Sequence, residues 1–205
     1  RIRRMLGNIG FAADKYDVTE LENLLVQYLG DTKLSQLLKP CLIPAYHLEL
    51  AATYFFCVQD HEAGVDPERE FLLRDVCRDT SAAPSYFKPA TSVSASGVRY
   101  TFVDGGVFAN NPTLCVIAEV GKTPERYTPL NMSLLSLGTG QIKRSFKPDT
   151  FEDRIALLNI PALIKIMMGG VAETTHYIAH NVFTNLGVQV HGNHLRAERR
   201  RGDEG

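Results

Sequence analysis

The sequence predicts a single α/β domain over residues 1–205, built on a mostly parallel sheet flanked by helices. The chain has 205 residues, 44% of them hydrophobic and 22% charged, and a chain of this length buries roughly 70% of its unfolded surface. Segments with helical spacing of apolar residues alternate with short runs of aromatic and β-branched residues. In the range 98–137 the order strand, helix, strand is typical of a crossover between parallel strands.

The first half of the chain is predicted to contain three helices and two strands. Asp17 can accept a hydrogen bond from a free backbone amide at a helix start, and leucines then recur at helical spacing up to Gly30. Pro40 closes a second, shorter helix, and Pro67 begins a third. The predicted helices span 17–30, 31–40 and 67–81, and the predicted strands span 41–50 and 53–58.

The second half of the chain is predicted to carry the crossover unit and the last helices. A polar loop of small residues over 91–97 precedes a strand, 98–103, that delivers Asp104 at its end. Asn111 can cap the helix that follows. A continuous apolar run over 132–137 indicates a fully buried parallel strand. The remaining predicted elements are helices 151–168 and 171–183, separated by Gly169-Gly170, and a strand within 187–195.

The charge balance and the cysteines argue against several classes of protein. Twenty-two Lys and Arg residues against 23 Asp and Glu residues give a net charge of -1, which argues against nucleic acid as a partner. The four cysteines form no C-x-x-C pair, so we expect reduced thiols rather than a zinc site or a disulfide framework. Residues 196–205 are rich in arginine but also carry acidic residues. We expect a flexible charged terminus there, the alternative being weak contact with anionic lipid headgroups.

Asp104 is the candidate catalytic residue. It ends a predicted strand and precedes Gly105-Gly106, and the carboxyl ends of strands are where ligands bind in α/β sheets. A carboxylate held there by a rigid strand and a glycine turn is a candidate base. The alternative is that Asp-Gly-Gly is a turn sequence in which Asp104 bonds nearby amides.

Two further motifs lack part of their pattern. Gly138-Thr139-Gly140 has no third glycine at the spacing of a dinucleotide-binding loop, although a Rossmann-type nucleotide binder is the function it would support. His176 and His180 stand one helical turn apart, but no third metal ligand is evident. We therefore expect neither a metal nor a cofactor.

Three segments, taken in order, resemble motifs of the patatin-like phospholipase family. They are Ser81-Ala82-Ala83-Pro84-Ser85-Tyr86-Phe87, Asp104-Gly105-Gly106 and Leu135-Ser136-Leu137-Gly138-Thr139-Gly140. The resemblance implies a three-layer patatin-like fold. It also implies a serine acyl hydrolase, or phospholipase, that cleaves fatty acyl esters of membrane lipids with a Ser-Asp dyad. Asp104 matches the aspartate of the dyad, and Gly105 and Gly106 match the turn that supports it.

The sequence departs from the family pattern where the nucleophile should be. Residues 1–205 contain neither a G-x-S-x-G elbow nor a D-G-G-G oxyanion loop. We expect this chain to be the carboxyl-terminal part of a patatin-like domain, with its amino-terminal strands missing and no esterase activity by itself. The nearby serines, expected to be structural, are Ser81, Ser85, Ser94, Ser96 and Ser136.

The expectation that strands are missing also predicts binding partners. Missing strands would leave sheet edges and apolar helix faces uncovered, so we expect a homo-oligomer or a complementing chain. The resemblance implies a lipid substrate reached by peripheral contact with a membrane. Reduced cysteines favour the cytoplasm. The alternative function is a non-catalytic module of the same fold that binds lipid or a partner.

Overall fold

The elements of the fold are taken from a computed structural model, which describes residues 16–58, 64–126, 128, 132–139, 160–186 and 189–193. The helices are α1 (Thr19–Leu29), a short 3₁₀ helix (Leu34–Gln36), α2 (Leu73–Thr80), α3 (Gly106–Ala109), α4 (Thr113–Val120) and α5 (Ile160–Asn185). The strands are β1 (Cys41–His47), β2 (Ala52–Val58), β3 (Ala90–Val93), β4 (Arg99–Asp104), β5 (Ser133–Leu137) and β6 (Gln189–Asn193). The predicted α/β class is confirmed. The predictions for 151–159 and 196–205 lie outside the described residues.

Four of the strands form an antiparallel sheet in the order β2-β1-β4-β3. β1 pairs with β2 along its whole length. On its other side β1 pairs with β4, where Ala45 lies opposite Asp104, and β3 pairs with the far side of β4. β4 is therefore an interior strand, bonded to a neighbour on each side.

Strand direction in this sheet differs from the predicted mostly parallel arrangement. Residues 48–51 join β1 to β2, and residues 94–98 join β3 to β4. A parallel pair needs a crossover of about a dozen residues or more, so connections this short permit only antiparallel pairing. Gly97 has a φ of 85° in the second connection, a conformation that glycine adopts without strain.

β3 occupies the first part of the predicted polar loop at 91–97. Its residues alternate between buried and exposed, and the inward-facing Ser92 is only 4% exposed. Because the inward positions hold the small residues Ala90 and Ser92 while Val93 faces outward, the apolar alternation that usually marks a strand is missing from the sequence.

Aromatic side chains form the core beneath this sheet. Phe56, Phe71 and Phe102 are buried together with Val76 of α2. The Phe56 ring packs edge-on against those of Phe71 and Phe102, with centroids 5.2 and 5.1 Å apart, and each such pair stabilises by roughly 0.5–1.5 kcal/mol beyond area burial. The core holds α2 against β1, β3 and β4.

Contacts divide the chain into two compact units, residues 1–110 with 167–171 and residues 111–166 with 172–205. In the second unit β5 pairs in parallel with β6, in a sheet separate from that of β4. β5 confirms the predicted strand, but not its full burial, since Leu135 and Leu137 are 64% and 74% exposed.

α5 is one continuous helix. The prediction of a break at Gly169-Gly170 is wrong, because glycine in a helix interior is unfavourable by only about 1 kcal/mol and does not by itself end the helix. Within the described residues, none of the helices combines the length and the hydropathy that a bilayer span requires.

Candidate active site

Asp104 is the last residue of β4, as predicted. Its backbone N–H donates to the carbonyl oxygen of Ala82 at 3.0 Å, and Ala45 lies opposite it on β1. Asp104 therefore sits at the end of an interior strand whose backbone is held by neighbours.

The Asp104 carboxylate takes part in the turn that follows the strand. Its Oδ1 accepts a hydrogen bond from the backbone N–H of Gly106 at 2.6 Å, and the side chain is half-buried. No described Lys, Arg or His residue forms an ion pair with it. Oδ1 therefore bonds a nearby amide, as expected if Asp-Gly-Gly is a turn sequence. The carboxylate as a whole is neither fully buried nor bridged to a described cation.

Burial raises the pKa of the Asp104 carboxyl above its ordinary value of 3.8. The cause is the loss of water around the charged form, and the Gly106 N–H opposes it by stabilising the carboxylate. A carboxylate with a raised pKa is a better proton acceptor than a fully hydrated one.

Gly105 is required by space rather than by backbone conformation. A Cβ added there would lie 2.2 Å from the carbonyl oxygen of Pro44 and 2.7 Å from the Pro44 Cβ. Pro44 is in turn held by Thr80, whose hydroxyl donates to the same carbonyl oxygen at 2.7 Å. The chain therefore turns after Asp104 with its backbone in direct contact with β1.

Gly106 lies directly beside the carboxylate. A Cβ on Gly106 would stand 3.0 Å from Oδ1 of Asp104 and 3.1 Å from Cε of Met168. Asp104, Gly105 and Gly106 thus form one tight corner, in which the two glycines leave room for the carboxylate and its amide donor.

Three of the serines singled out in the sequence form hydrogen bonds with groups other than the Asp104 carboxylate. The Ser81 hydroxyl donates to the carbonyl oxygen of Arg78 at 3.1 Å, Ser94 and Ser96 share a hydrogen bond of 2.9 Å, and Ser85 is exposed with a φ of 69°. These hydrogen bonds are what a structural role of Ser81, Ser94 and Ser96 would require.

The glycine-rich motif follows β5, and the histidine pair lies on α5. Gly138 and Thr139 follow β5 without regular structure, and Gly140 lies outside the described residues. The His176 and His180 rings are 6.0 Å apart on α5. Among the described residues, no three His, Cys, Asp or Glu side chains are grouped as metal ligands.

Sequence reasoning missed the residues that hold the corner. Thr80, Ala82 and Pro44 contact the Asp104 corner through backbone or hydroxyl groups, and such contacts leave no pattern in a sequence. Asp79, in contrast, could have been found from the sequence, because it lies three residues after Val76 on the buried face of α2. A charged residue on that face is unusual enough to have been singled out.

Comparison with known proteins gives consistent matches. Residues 3–117 match the family described as Patatin-like phospholipase. The chain is 34% identical over 148 residues to Patatin-like protein 3 of Arabidopsis thaliana, covering 65% of this chain and 34% of that protein. It is 33% identical over 150 residues to Probable inactive patatin-like protein 9 of the same plant, covering 71% and 38%. It is 40% identical over 114 residues to Patatin-like protein 2 of Oryza sativa subsp. indica, covering 53% and 27%.

The chain spans about a third of the length of the curated relatives it matches. The matched range includes the Ser81–Phe87 segment and the Asp104 corner. The resemblance inferred from three short motifs is therefore confirmed over more than half of the sequence: this chain belongs to the patatin-like phospholipase family.

Proposed function

We propose that Asp104 is the base of a Ser-Asp dyad in a lipid acyl hydrolase that cleaves fatty acyl esters of membrane lipids. The serine would come from a G-x-S-x-G elbow, which residues 1–205 do not contain. The observation that carries the proposal is the half-buried Asp104 carboxylate, held at the end of an interior strand with no described cation bridged to it.

The chemistry needs a group that removes the proton from a serine hydroxyl. As the serine oxygen bonds to the ester carbonyl carbon, its proton passes to the Asp104 carboxylate. Collapse of the tetrahedral intermediate breaks the ester bond, and the proton goes to the departing alcohol. Water then releases the fatty acid from the acyl-enzyme by the same proton transfers.

The surroundings of Asp104 support this role. Partial burial raises the pKa of its carboxyl, which brings the proton affinity of the base closer to what catalysis at neutral pH requires. The corner is held by Pro44 and Ala82, so the carboxylate does not have to be ordered when the substrate arrives.

The proposal is tested in a chimera in which the matched stretch of Patatin-like protein 3 is replaced by the corresponding stretch of this chain. Hydrolysis of a p-nitrophenyl acyl ester is measured, with the unchanged relative as the reference. We expect turnover by the chimera and a loss of about 10²–10⁴-fold in Asp104→Asn, the range for a missing acid-base group.

Asp75→Asn is the matched control, since Asp75 is also half-buried but its carboxylate contacts Arg74, at 3.8 Å, rather than a residue of the corner. It should keep the chimera's turnover. Residues 1–205 by themselves should show no turnover. Equal activity of the Asp104→Asn and unsubstituted chimeras would rule out the proposed base.

A non-catalytic module of the same fold is the second candidate. One relative, 33% identical over 71% of this chain, carries the name Probable inactive patatin-like protein 9. If this candidate is right, the chimera is folded and inactive with Asp104 in place, whereas the unchanged relative is active.

A further inference from the structure

A second aspartate, Asp79, is fully buried at the end of α2. It is 0% exposed, and its Oδ1 accepts a hydrogen bond from the Ser92 hydroxyl of β3 at 2.8 Å. Its Oδ2 has no hydrogen-bond partner among the described residues. A buried carboxylate with one oxygen lacking a hydrogen bond costs free energy when it is charged.

The charges around Asp79 do not neutralise it. Arg78 precedes Asp79 in the sequence. Its Nε donates to Glu22 of α1 at 3.3 Å and its Nη2 to the carbonyl oxygen of Lys88 at 3.1 Å, while its buried Nη1 has no hydrogen-bond partner among the described residues. Asp75, one turn earlier on α2, repels the charged form, and β3 offers only the Ser92 hydroxyl. Burial is the largest effect and raises the pKa of Asp79 to about 7, against the lowering effects of Ser92 and Arg78.

The backbone around Asp79 leads directly to the candidate active site. The carbonyl oxygen of Asp79 accepts from the N–H of Ala82 at 3.3 Å, and the carbonyl oxygen of Ala82 accepts from the N–H of Asp104 at 3.0 Å. Between them, Thr80 donates to the Pro44 carbonyl oxygen that lies against Gly105. Residues 79–82 thus hold the Asp104 corner at two points.

We propose that Asp79 is a positioning residue for Asp104, because its buried side chain fixes α2 to β3 and thereby the segment 79–82 that holds the corner. In this arrangement the neutral carboxyl keeps the segment in place. Ionisation introduces into the core a charge that Ser92 and Arg78 only partly offset, and loosens the segment. The functional meaning of this link rests on the proposed role of Asp104, but the link itself can be measured without any catalysis.

The test follows the backbone amide of Asp104 by two-dimensional NMR of the full chain between pH 5 and 9. Side-chain carboxyl resonances of Asp79 and Asp104 are recorded in the same titration. We expect the Asp104 amide shift to show an inflection that coincides with the titration of the Asp79 carboxyl. In Asp79→Asn that inflection should disappear, whereas any change that follows Asp104's own carboxyl should remain.

Asp75→Asn is the matched control and should keep the inflection, moved to lower pH because the repulsion between Asp75 and the charged form of Asp79 is lost. The bonds that join Asp79 to Ser92 and segment 79–82 to Asp104 do not involve the Asp75 side chain. An Asp104 amide that titrates identically in the unsubstituted chain and in Asp79→Asn would overturn the proposal.

Ser92→Ala provides a second test that keeps the aspartate. The Ser92 bond favours the charged form of Asp79, so its loss should move the inflection of the Asp104 amide to higher pH. An inflection that stays at the same pH would also overturn the proposal. An inactive chimera with an intact inflection would defeat only the proposed hydrolase function.

Discussion

Gly105 shows how one absent methyl group sets the position of the candidate base. A Cβ at this residue would lie within 2.7 Å of three atoms of Pro44, two of them backbone atoms that cannot move aside cheaply. We predict that Gly105→Ala destabilises the chain by about 3 kcal/mol or more, the upper end for overpacking. The measurement is the free energy of unfolding by denaturant.

Gly138→Ala is the control, since nothing lies within 4 Å of the added carbon at that position. Its effect on stability should be within about 0.5 kcal/mol, as for other exposed substitutions. Equal stability of the two variants would contradict the contact between Gly105 and Pro44.

Asp79 predicts an unusual dependence of stability on pH. Because its folded-state pKa is raised from 3.8 to about 7, the folded chain binds the proton more tightly than the unfolded chain does. Its contribution is therefore fully present below pH 4 and is lost as the pH rises to 7, by up to about 4 kcal/mol.

The measurement is the free energy of unfolding at pH 5 and at pH 8 for the unsubstituted chain and Asp79→Asn. We expect the difference between the two pH values to shrink in the variant, which lacks the titrating group. If the free energy of unfolding changes equally between pH 5 and pH 8 in the two proteins, Asp79 is ionised in the fold.

Among the helices and strands, local signals located the start of α4 and the end of β4. The predicted helix start at Pro67 is wrong, because α2 begins at Leu73, and of the predicted helix 31–40 only Leu34–Gln36 is helical. Asn111 was predicted to cap α4, and its Oδ1 accepts from the N–H of Thr113 at 3.1 Å. β4 and its end at Asp104 were predicted in the same way. β3 was missed, because it is recognisable only through its pairing with β4. Pairing depends on distant residues, which a local pattern does not contain.

The two glycines inside α5 are predicted to lower the stability of the helix. Gly169 and Gly170 lie inside a continuous helix, at ordinary φ angles and with nothing within 4 Å of the place that an added Cβ would take. Replacing either by Ala should stabilise the chain by about 0.5–1 kcal/mol, since alanine loses less backbone entropy in a helix. Thermal unfolding measures this, and a lower melting temperature for both variants would indicate that the two glycines break the helix.

For the molecule as a whole, the sequence predicted the class and the family but not the strand directions. The α/β class follows from composition and periodicity, whereas antiparallel pairing follows from which strands meet. The corner at Asp104 could be predicted from Asp-Gly-Gly. Its supports, Pro44 and Ala82, lie 60 and 22 residues earlier in the chain and could not.

Exposed apolar residues predict self-association of the chain. On β5, Leu135 and Leu137 share a face and are 64% and 74% exposed, an arrangement that favours association. Sedimentation velocity should show an average mass that rises with concentration and falls toward the monomer in Leu137→Glu. Leu38→Glu, at a 91% exposed loop residue, is the control, and a monomeric unsubstituted chain throughout would contradict the prediction.

The assignment of Asp104 as the base is tested by the dependence of kcat/KM on pH in the chimera that carries this chain's Asp104. The acidic limb of this profile reports the base of the free enzyme. We predict a limb with its midpoint above 3.8, in line with the raised pKa of Asp104, and its loss in Asp104→Asn. The same limb in both proteins would contradict the assignment of Asp104 as the base.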